Sequence, residues 1–167
     1  MNNPRLILPV APPGAGKSYT ARKLVKVGLL QPEDVVEPDY YRWLLTGDRA
    51  NQQSNKTVFD IVNAIALNRL NYGMNVYLDA TNINSTHRVA LLERVATLPT
   101  EVKLIVLMSG ENLETLQLWN QDRPYPVPQR VLQRMWKGSQ EFQIESLKKY
   151  KPLVYSIEDA LIWEEIP

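Results

Sequence analysis

The sequence has no cysteine and a single histidine, His87. The lack of cysteine excludes disulfides, thiolate metal sites and cysteine nucleophiles, and one histidine excludes any mechanism that needs two. An excess of one charge is also missing, since 19 basic and 18 acidic side chains leave a net charge of +1. Such a chain has no generally basic surface that would hold long duplexes by counterion release. Any contact with nucleic acid is therefore expected to be local.

Long apolar segments are absent as well. The chain has no run of roughly 18 or more apolar residues, the length that a transmembrane helix needs. Its start, Met1 to Arg5, lacks the basic region, apolar stretch and cleavage site of a secretory signal. Nothing predicts export or membrane insertion, and we expect a cytoplasmic protein. A chain of 167 residues, 44% of them apolar, suits one compact core, so we expect one domain over residues 1–167.

Short apolar runs alternate with segments of helical periodicity along the chain. The predicted strands are Arg5 to Val10, Asp34 to Glu37, Val76 to Asp79, Val102 to Met108 and Leu153 to Ile157. The predicted helices are Tyr19 to Leu30, Tyr40 to Thr46, Lys56 to Tyr72 with Asn55 as a possible cap, one that Asn84 or Ser85 caps and Pro99 ends, and Asn112 to Asp122. The segment Gln129 to Tyr150 is predicted to form one long helix or two shorter ones, with Gly138 as a possible break. This alternation predicts an α/β fold with a mostly parallel sheet, helices on both faces and ligands at the carboxyl ends of the strands.

The clearest motif is Ala11 to Ser18, which matches the Walker A pattern except that Ala11 stands where the first glycine is usual. Between a strand and a helix, its N–H groups can surround phosphate. Lys17 is expected to reach the β- and γ-phosphates of ATP, and Ser18 to ligate Mg²⁺. The residues predicted to bind the nucleotide are Pro13, Gly14, Ala15, Gly16, Lys17, Ser18 and Tyr19. The alternative is an ordinary glycine turn with an exposed lysine.

Two further carboxylates follow predicted strands. Asp39 lies just past the second strand, and Arg42 follows it by one helical turn, so a proton acceptor and a phosphate-binding guanidinium are presented together. A helix-capping aspartate in a surface ion pair is the alternative. Asp79 ends the third strand, where it is predicted to hold Mg²⁺ directly or through water, with Thr81 or Asn82 orienting neighbouring groups. Its alternative role is to cap the next helix.

In order and spacing, these motifs resemble the 5′-kinase module of polynucleotide kinases over about residues 5–140. The residues that carry the resemblance are Gly14 to Ser18, Asp39 to Arg42, Asp79 to Asn82, Asn120 to Arg123, Val127-Pro128 and Val131 to Met135. The resemblance implies a P-loop kinase fold with a helical lid at about 112–140, and ATP- and Mg-dependent transfer to the 5′-hydroxyl of RNA or DNA. By the same resemblance, Asp39 is the general base, Arg42 contacts the phosphate on the 3′ side of the acceptor nucleotide, and Arg123 is a catalytic lid arginine.

The sequence also departs from this family. Trp119 and Tyr125 stand where related lids often carry additional arginines, and Ala11 replaces a loop glycine. Aromatic side chains able either to stack on unpaired bases or to pack in the core are Tyr40, Tyr41, Trp43, Trp119, Tyr125 and Trp136. His87, early in a helix, is expected to be structural.

Two other functions stay open from the sequence. The first is a P-loop kinase of a small hydroxylated metabolite, which shares the loop, an acidic base and a lid. The second is a nucleotide-binding module without efficient transfer, against which the presence of Asp39 and Arg123 argues. Acceptor preference distinguishes a metabolite kinase from a polynucleotide kinase, and an assay of phosphoryl transfer identifies a module that only binds the nucleotide.

Overall fold

The computed structural model describes residues 3–167; residues 1 and 2, which the single-domain expectation includes, lie outside the described residues. Five strands form one sheet in the order β2-β3-β1-β4-β5. They are β1 (Arg5–Val10), β2 (Val35–Val36), β3 (Val76–Leu78), β4 (Lys103–Met108) and β5 (Leu153–Ser156). All neighbouring strands pair in parallel. The prediction of a mostly parallel sheet is therefore confirmed, and all five predicted strands are found.

The helices occupy the connections between these strands. They are α1 (Lys17–Lys26), α2 (Pro38–Thr46), α3 (Asn55–Asn71), α4 (Ser85–Val95), α5 (Leu113–Gln121), α6 (Gln129–Gln140) and α7 (Ile157–Ala160), with short 3-10 helices at Pro32–Asp34, Gln52–Ser54 and Ile144–Tyr150. None of these helices, within residues 3–167, is both long and apolar enough to cross a bilayer.

The central strand β1 separates two apolar cores because its side chains alternate between the faces of the sheet. Leu6 and Leu8 pack with residues of α3 and α4, including Val62 and Leu91. Ile7, on the other face, belongs to a cluster with residues of α1, α5, α6 and α7. Helices thus cover both faces, as the sequence pattern predicts.

Most helix ends lie where the sequence places them. Gly47 directly follows α2, and Gly73 follows α3 after one residue. Their φ angles of 73° and 74° are left-handed, a conformation that glycine tolerates. Asn84 caps α4, with its side-chain oxygen accepting from the N–H groups of Thr86 and His87.

Two predicted helix features are wrong. Asn55 is the first residue of α3, and the cap position is held by Ser54 without a side-chain hydrogen bond. Gly138 does not break a helix, because α6 continues through it to Gln140. Its role is spatial: a Cβ at this position would lie 2.9 Å from Cγ2 of Ile83, so glycine allows α6 to pack closely.

Candidate functional site

A cavity of about 590 Å³ lies at the carboxyl ends of β1, β2 and β3. Of the residues predicted to bind or react, those that line it are Pro13, Gly14, Gly16, Lys17, Ser18, Tyr19, Asp39, Arg42, Asp79, Thr81 and Arg123. The fold therefore brings together side chains from four separate segments of the sequence. Ala15 and Asn82 do not line the cavity, and the Ala15 side chain is buried in the core.

The phosphate-binding loop has the backbone that its glycines predict. Gly14 and Gly16 both have φ of 87°, a conformation that side-chain-bearing residues rarely adopt, and Gly16 directly precedes α1. Ala11 is fully buried, and its N–H donates to the carbonyl of Thr81. Because Ala11 does not have positive φ, this position has no conformational need for the usual glycine.

Lys17 is buried in this loop and pairs with its carbonyls. Its ammonium Nζ donates hydrogen bonds to the oxygens of Ala11 and Pro12, at 3.1 and 2.6 Å. Its own carbonyl accepts a hydrogen bond from the buried hydroxyl of Tyr77, at 2.8 Å. Tyr77 thus ties the start of α1 to β3 and fixes the backbone beneath the loop.

Burial is the main reason that the pKa of Lys17 falls from 10.5 to about 8. The Asp79 carboxylate opposes this shift, the Arg123 cation adds to it, and the Asp39 carboxylate opposes it more weakly. These three residues therefore lie close enough to Lys17 to affect its charge. An anionic phosphate in the cavity would favour the charged ammonium.

Ser18 and Asp79 place two oxygen groups side by side. The Ser18 side chain lies close enough to the Asp79 carboxylate to lower its pKa. Burial raises the pKa of Asp79, while the Ser18 contact and the charge of Lys17 lower it. Mg²⁺ takes few protein oxygens and completes its shell with water and phosphate, so this hydroxyl–carboxylate pair fits the predicted ion. Among the side chains that the structure describes, which do not include those of residues 1, 2 and 145, no cluster of three or more His, Cys, Asp or Glu is arranged as a metal site.

Asp39 and Arg42 are in direct contact on α2. The Arg42 Nη1 donates to the Asp39 carboxylate and, at 3.3 Å, to the carbonyl of Arg49. Its Nη2 donates to Asn55 Oδ1 at 2.7 Å. The Arg42 side chain is only 4% exposed, whereas that of Asp39 is 57% exposed. The two residues are therefore not a solvated surface pair: Arg42 is anchored and Asp39 faces the cavity.

Asn82, predicted to orient neighbouring groups, bonds through its side chain to the backbone of the strand ends. Its amide Nδ2 donates to three backbone carbonyls, those of Pro9, Leu78 and Ala80. Pro9 lies beyond the last β1–β3 pair, so the Asn82 amide holds the two strand ends together there. This bonding occupies the donor that substrate orientation would need, and it suits the left-handed φ of 50° at Asn82.

The lid consists of α5, α6 and the connector at residues 122–128. Buried Asn120 shapes this connector, since its Nδ2 donates to the carbonyl of Val127 at 2.8 Å and its Oδ1 accepts from the Val127 N–H at 3.0 Å. These hydrogen bonds close a loop between residues 120 and 127. Arg123 lies in this loop and lines the cavity. Trp119 also lines the cavity, whereas Tyr125 is 70% exposed and does not.

Several lining residues are not among those predicted from the sequence to bind or react. They are Arg22, Glu37, Gln52, Asn55, Phe59, Asn84 and His87. Burial raises the pKa of Glu37, and its ion pair with Arg49, at 3.0 Å, opposes the rise. His87, expected to be structural, stacks on Phe59 at this wall. Only tertiary proximity identifies these residues, although Arg22 lies one helical turn beyond Ser18.

Comparison with known proteins gives the family and the fold. A family model described as an AAA domain matches residues 6–142. No curated protein sequence matches the chain. A chain in a solved structure of the Pnkp1/Rnl/Hen1 RNA repair complex has a TM-score of 0.68 and 19% identity, over 89% of this chain and 47% of that one. This chain thus spans about half the length of that relative.

Two smaller enzymes share the fold over nearly their whole length. A gluconokinase from Sinorhizobium meliloti 1021 has a TM-score of 0.56 and 13% identity, over 95% of this chain and 89% of the other. A shikimate kinase from Bacteroides thetaiotaomicron has a TM-score of 0.54 and 9% identity, over 95% and 94%. The predicted P-loop kinase fold is therefore confirmed. At these identities the comparisons identify the fold and leave the acceptor open.

Proposed function

We propose that this chain, which belongs to the AAA domain family and has the fold of a P-loop kinase, transfers the γ-phosphoryl group of ATP to the 5′-hydroxyl end of a nucleic acid. The observation that carries the proposal is the paired Asp39 and Arg42 in the same cavity as the phosphate-binding loop. A carboxylate and an anchored guanidinium there suit an acceptor that offers a hydroxyl and a phosphate together.

On the donor side, the loop N–H groups and Lys17 hold the phosphates, and the positive end of α1 adds to this attraction. Ser18 and Asp79 would hold Mg²⁺, which neutralises charge on the transferring phosphate when it is bound. Arg123, carried by the lid, supplies a further cation and, with closure of the lid, helps to exclude water.

On the acceptor side, Asp39 takes the proton of the 5′-hydroxyl as its oxygen attacks the γ-phosphorus. The bond from that phosphorus to the bridging oxygen breaks, and ADP leaves with the electron pair. The products are ADP, a 5′-phosphate end and a proton that Asp39 returns to solvent. Arg42 leaves one Asp39 oxygen available, because its contact engages only Oδ1.

Arg42 is proposed to bind the next phosphate of the acceptor. Its buried Nε has no hydrogen-bond partner within the described part of the chain, and an unpaired buried donor is costly. Arg42 also lines the cavity, so its positive charge acts on an acceptor phosphate bound there. The repair complex that contains a structurally similar chain adds support for a nucleic-acid acceptor. The fold shared with a gluconokinase and a shikimate kinase supports instead a small hydroxylated metabolite.

One transfer assay separates these acceptors. The chain is incubated with γ-labelled ATP, Mg²⁺ and either 5′-hydroxyl oligonucleotides of RNA and DNA or a panel of sugars, sugar acids and nucleosides. Label on an oligonucleotide 5′ end supports the proposal, with Lys17→Ala as the inactive control. Label on a phosphate-free sugar alone assigns a metabolite kinase. Binding of ATP with no transfer to any acceptor assigns a nucleotide-binding module.

A further inference from the structure

The wall of the cavity beyond Arg42 contains an aromatic pair. The rings of Phe59, on α3, and His87, on α4, have centroids 5.4 Å apart and planes inclined by only 7°. Both side chains line the large cavity. Phe59 is partly buried and His87 is exposed. His87 is therefore the exposed ring of a stack whose inner ring, Phe59, is held by the protein.

This surface has a defined relation to the reacting groups. Asn55, which accepts the hydrogen bond from Arg42, precedes Phe59 by four residues on α3, so the two side chains lie on the same face of the helix. Four residues of an α-helix rise by about 6 Å. The aromatic pair thus lies about one helical turn from the contact that holds Arg42 beside Asp39.

From this placement we infer that Phe59 and His87 form the stacking surface for the base of the acceptor nucleotide. The inference rests on the proposed function. A nucleoside carries its 5′-hydroxyl and its base on one sugar, so an acceptor with its hydroxyl at Asp39 has its base a short distance away in the same cavity. A flat, partly exposed aromatic surface is what a base requires for stacking.

The polar side chains nearby are largely committed to the protein. Asn55 holds Arg42 and donates through Nδ2 to Gln52 Oε1 at 2.6 Å. Asn84 uses its oxygen to cap α4. Stacking is open to every base because each has a π-face, whereas discrimination needs free hydrogen-bonding groups. Stacking alone therefore does not distinguish the four bases.

Two oligonucleotides test the inference. They share length and sequence and carry a 5′-hydroxyl, but in one of them the 5′-terminal sugar is an abasic tetrahydrofuran residue. Base stacking on an aromatic side chain is worth roughly 5- to 150-fold in affinity. The full chain is therefore expected to phosphorylate the base-bearing oligonucleotide with a kcat/KM higher by a factor in that range.

Variants of the pair locate the effect. His87→Ala changes an exposed residue, and Phe59→Leu keeps most of the apolar volume of a partly buried one. Each variant should lose most of the preference for the base-bearing oligonucleotide, while KM for ATP stays constant. Phe59→Tyr should retain the preference. Tyr72→Ala is the matched control, because Tyr72 is a 75% exposed aromatic residue at the end of α3 that does not line the cavity.

The outcomes separate this inference from the proposed function. Equal phosphorylation of both oligonucleotides by the unmodified chain overturns the stacking surface and leaves the 5′-kinase activity intact. A base preference that survives in both His87→Ala and Phe59→Leu also overturns it, since the base is then bound elsewhere. No transfer to either oligonucleotide contradicts the proposed function itself, and the stacking inference falls with it.

Discussion

The Arg42 guanidinium donates a hydrogen bond to the carboxylate of Asp39, three residues before it on α2. Arg42 is held in turn by Asn55 and by the carbonyl of Arg49. Through this chain of contacts the loop before α3 and the start of α3 fix the position of a carboxylate that itself faces the cavity. Pre-organisation of this kind reduces the entropy that binding and reaction must otherwise offset.

Replacing Asp39 with asparagine tests its assignment as the base. Asparagine keeps the shape and can still accept from Arg42, but it cannot take a proton at neutral pH. We expect a fall in kcat of roughly 10²- to 10⁴-fold, with ATP affinity nearly unchanged. Steady-state kinetics and equilibrium ATP binding are measured together, with Asp60→Asn as the control, since Asp60 forms only an exposed pair with Lys56. Loss of ATP binding would show that Asp39 acts on the donor side.

The lowered pKa of Lys17 predicts a pH dependence of ATP binding. In the free protein the ammonium loses its proton as the pH rises through about 8. Bound phosphate favours the charged form, so binding above that pH requires uptake of a proton. The Kd for ATP should be flat below pH 8 and rise by up to about tenfold per pH unit above it. Calorimetric titrations from about pH 6.5 to 9.5 measure this dependence.

A matched variant isolates this effect. Lys23 lies on the same helix, α1, but is not among the residues that line the cavity. Lys23→Met should reproduce the unmodified profile. A Kd that stays constant to pH 9.5 would contradict the role of Lys17 in holding the phosphates.

Arg123 is predicted to stabilise the transition state. Removal of one hydrogen-bond donor that stabilises a transition state typically lowers kcat by roughly 10²- to 10³-fold. Arg123→Ala should therefore reduce kcat much more than it raises KM for ATP. Arg130→Ala, which removes an exposed arginine at the start of α6, is the control. An effect on KM alone would contradict this role and would show that Arg123 only binds ATP in the ground state.

Asn120 provides a separate test of the lid. Asn120→Ala removes both hydrogen bonds to Val127 and leaves the N–H and C=O of this partly buried residue unpaired. We expect a loss of roughly 1 to 3 kcal/mol in the free energy of unfolding, together with a lower kcat because Arg123 is no longer held in place. Denaturant unfolding and kinetics measure the two effects. Gln121→Ala, which changes an exposed neighbouring residue, should alter neither the free energy of unfolding nor kcat.

The sequence predicts much of the fold because its signals are local. Gly47 and Gly73 stop helices through their own backbone conformation, and β1 is recognised from a short apolar run that ends at a glycine-rich turn. The helix α6 runs through Gly138 against the local signal. Close packing against Ile83 gives that glycine its role, and such a contact between distant residues has no pattern in the sequence.

The candidate site likewise contains some residues that the sequence predicts and others that only the fold reveals. The motif residues Lys17 and Ser18 follow from the spacing of the loop. Phe59 and His87, by contrast, belong to different helices and meet only in the folded chain. Asn82 is part of a motif, but its amide is used by the backbone. A motif therefore identifies which segments converge, whereas the contacts decide which of their side chains reach a ligand.

The most direct test of a nucleic-acid acceptor compares a nucleoside 3′-monophosphate with the same nucleoside. If Arg42 binds the phosphate on the 3′ side, the charge-assisted contact is worth about 1.5 to 3 kcal/mol, and kcat/KM should favour the 3′-monophosphate by roughly 10- to 150-fold. Arg42→Ala should remove most of this difference, and Arg42→Lys should recover only part of it. Equal kcat/KM values for the two acceptors, or a preference for a sugar without phosphate, would contradict the assignment.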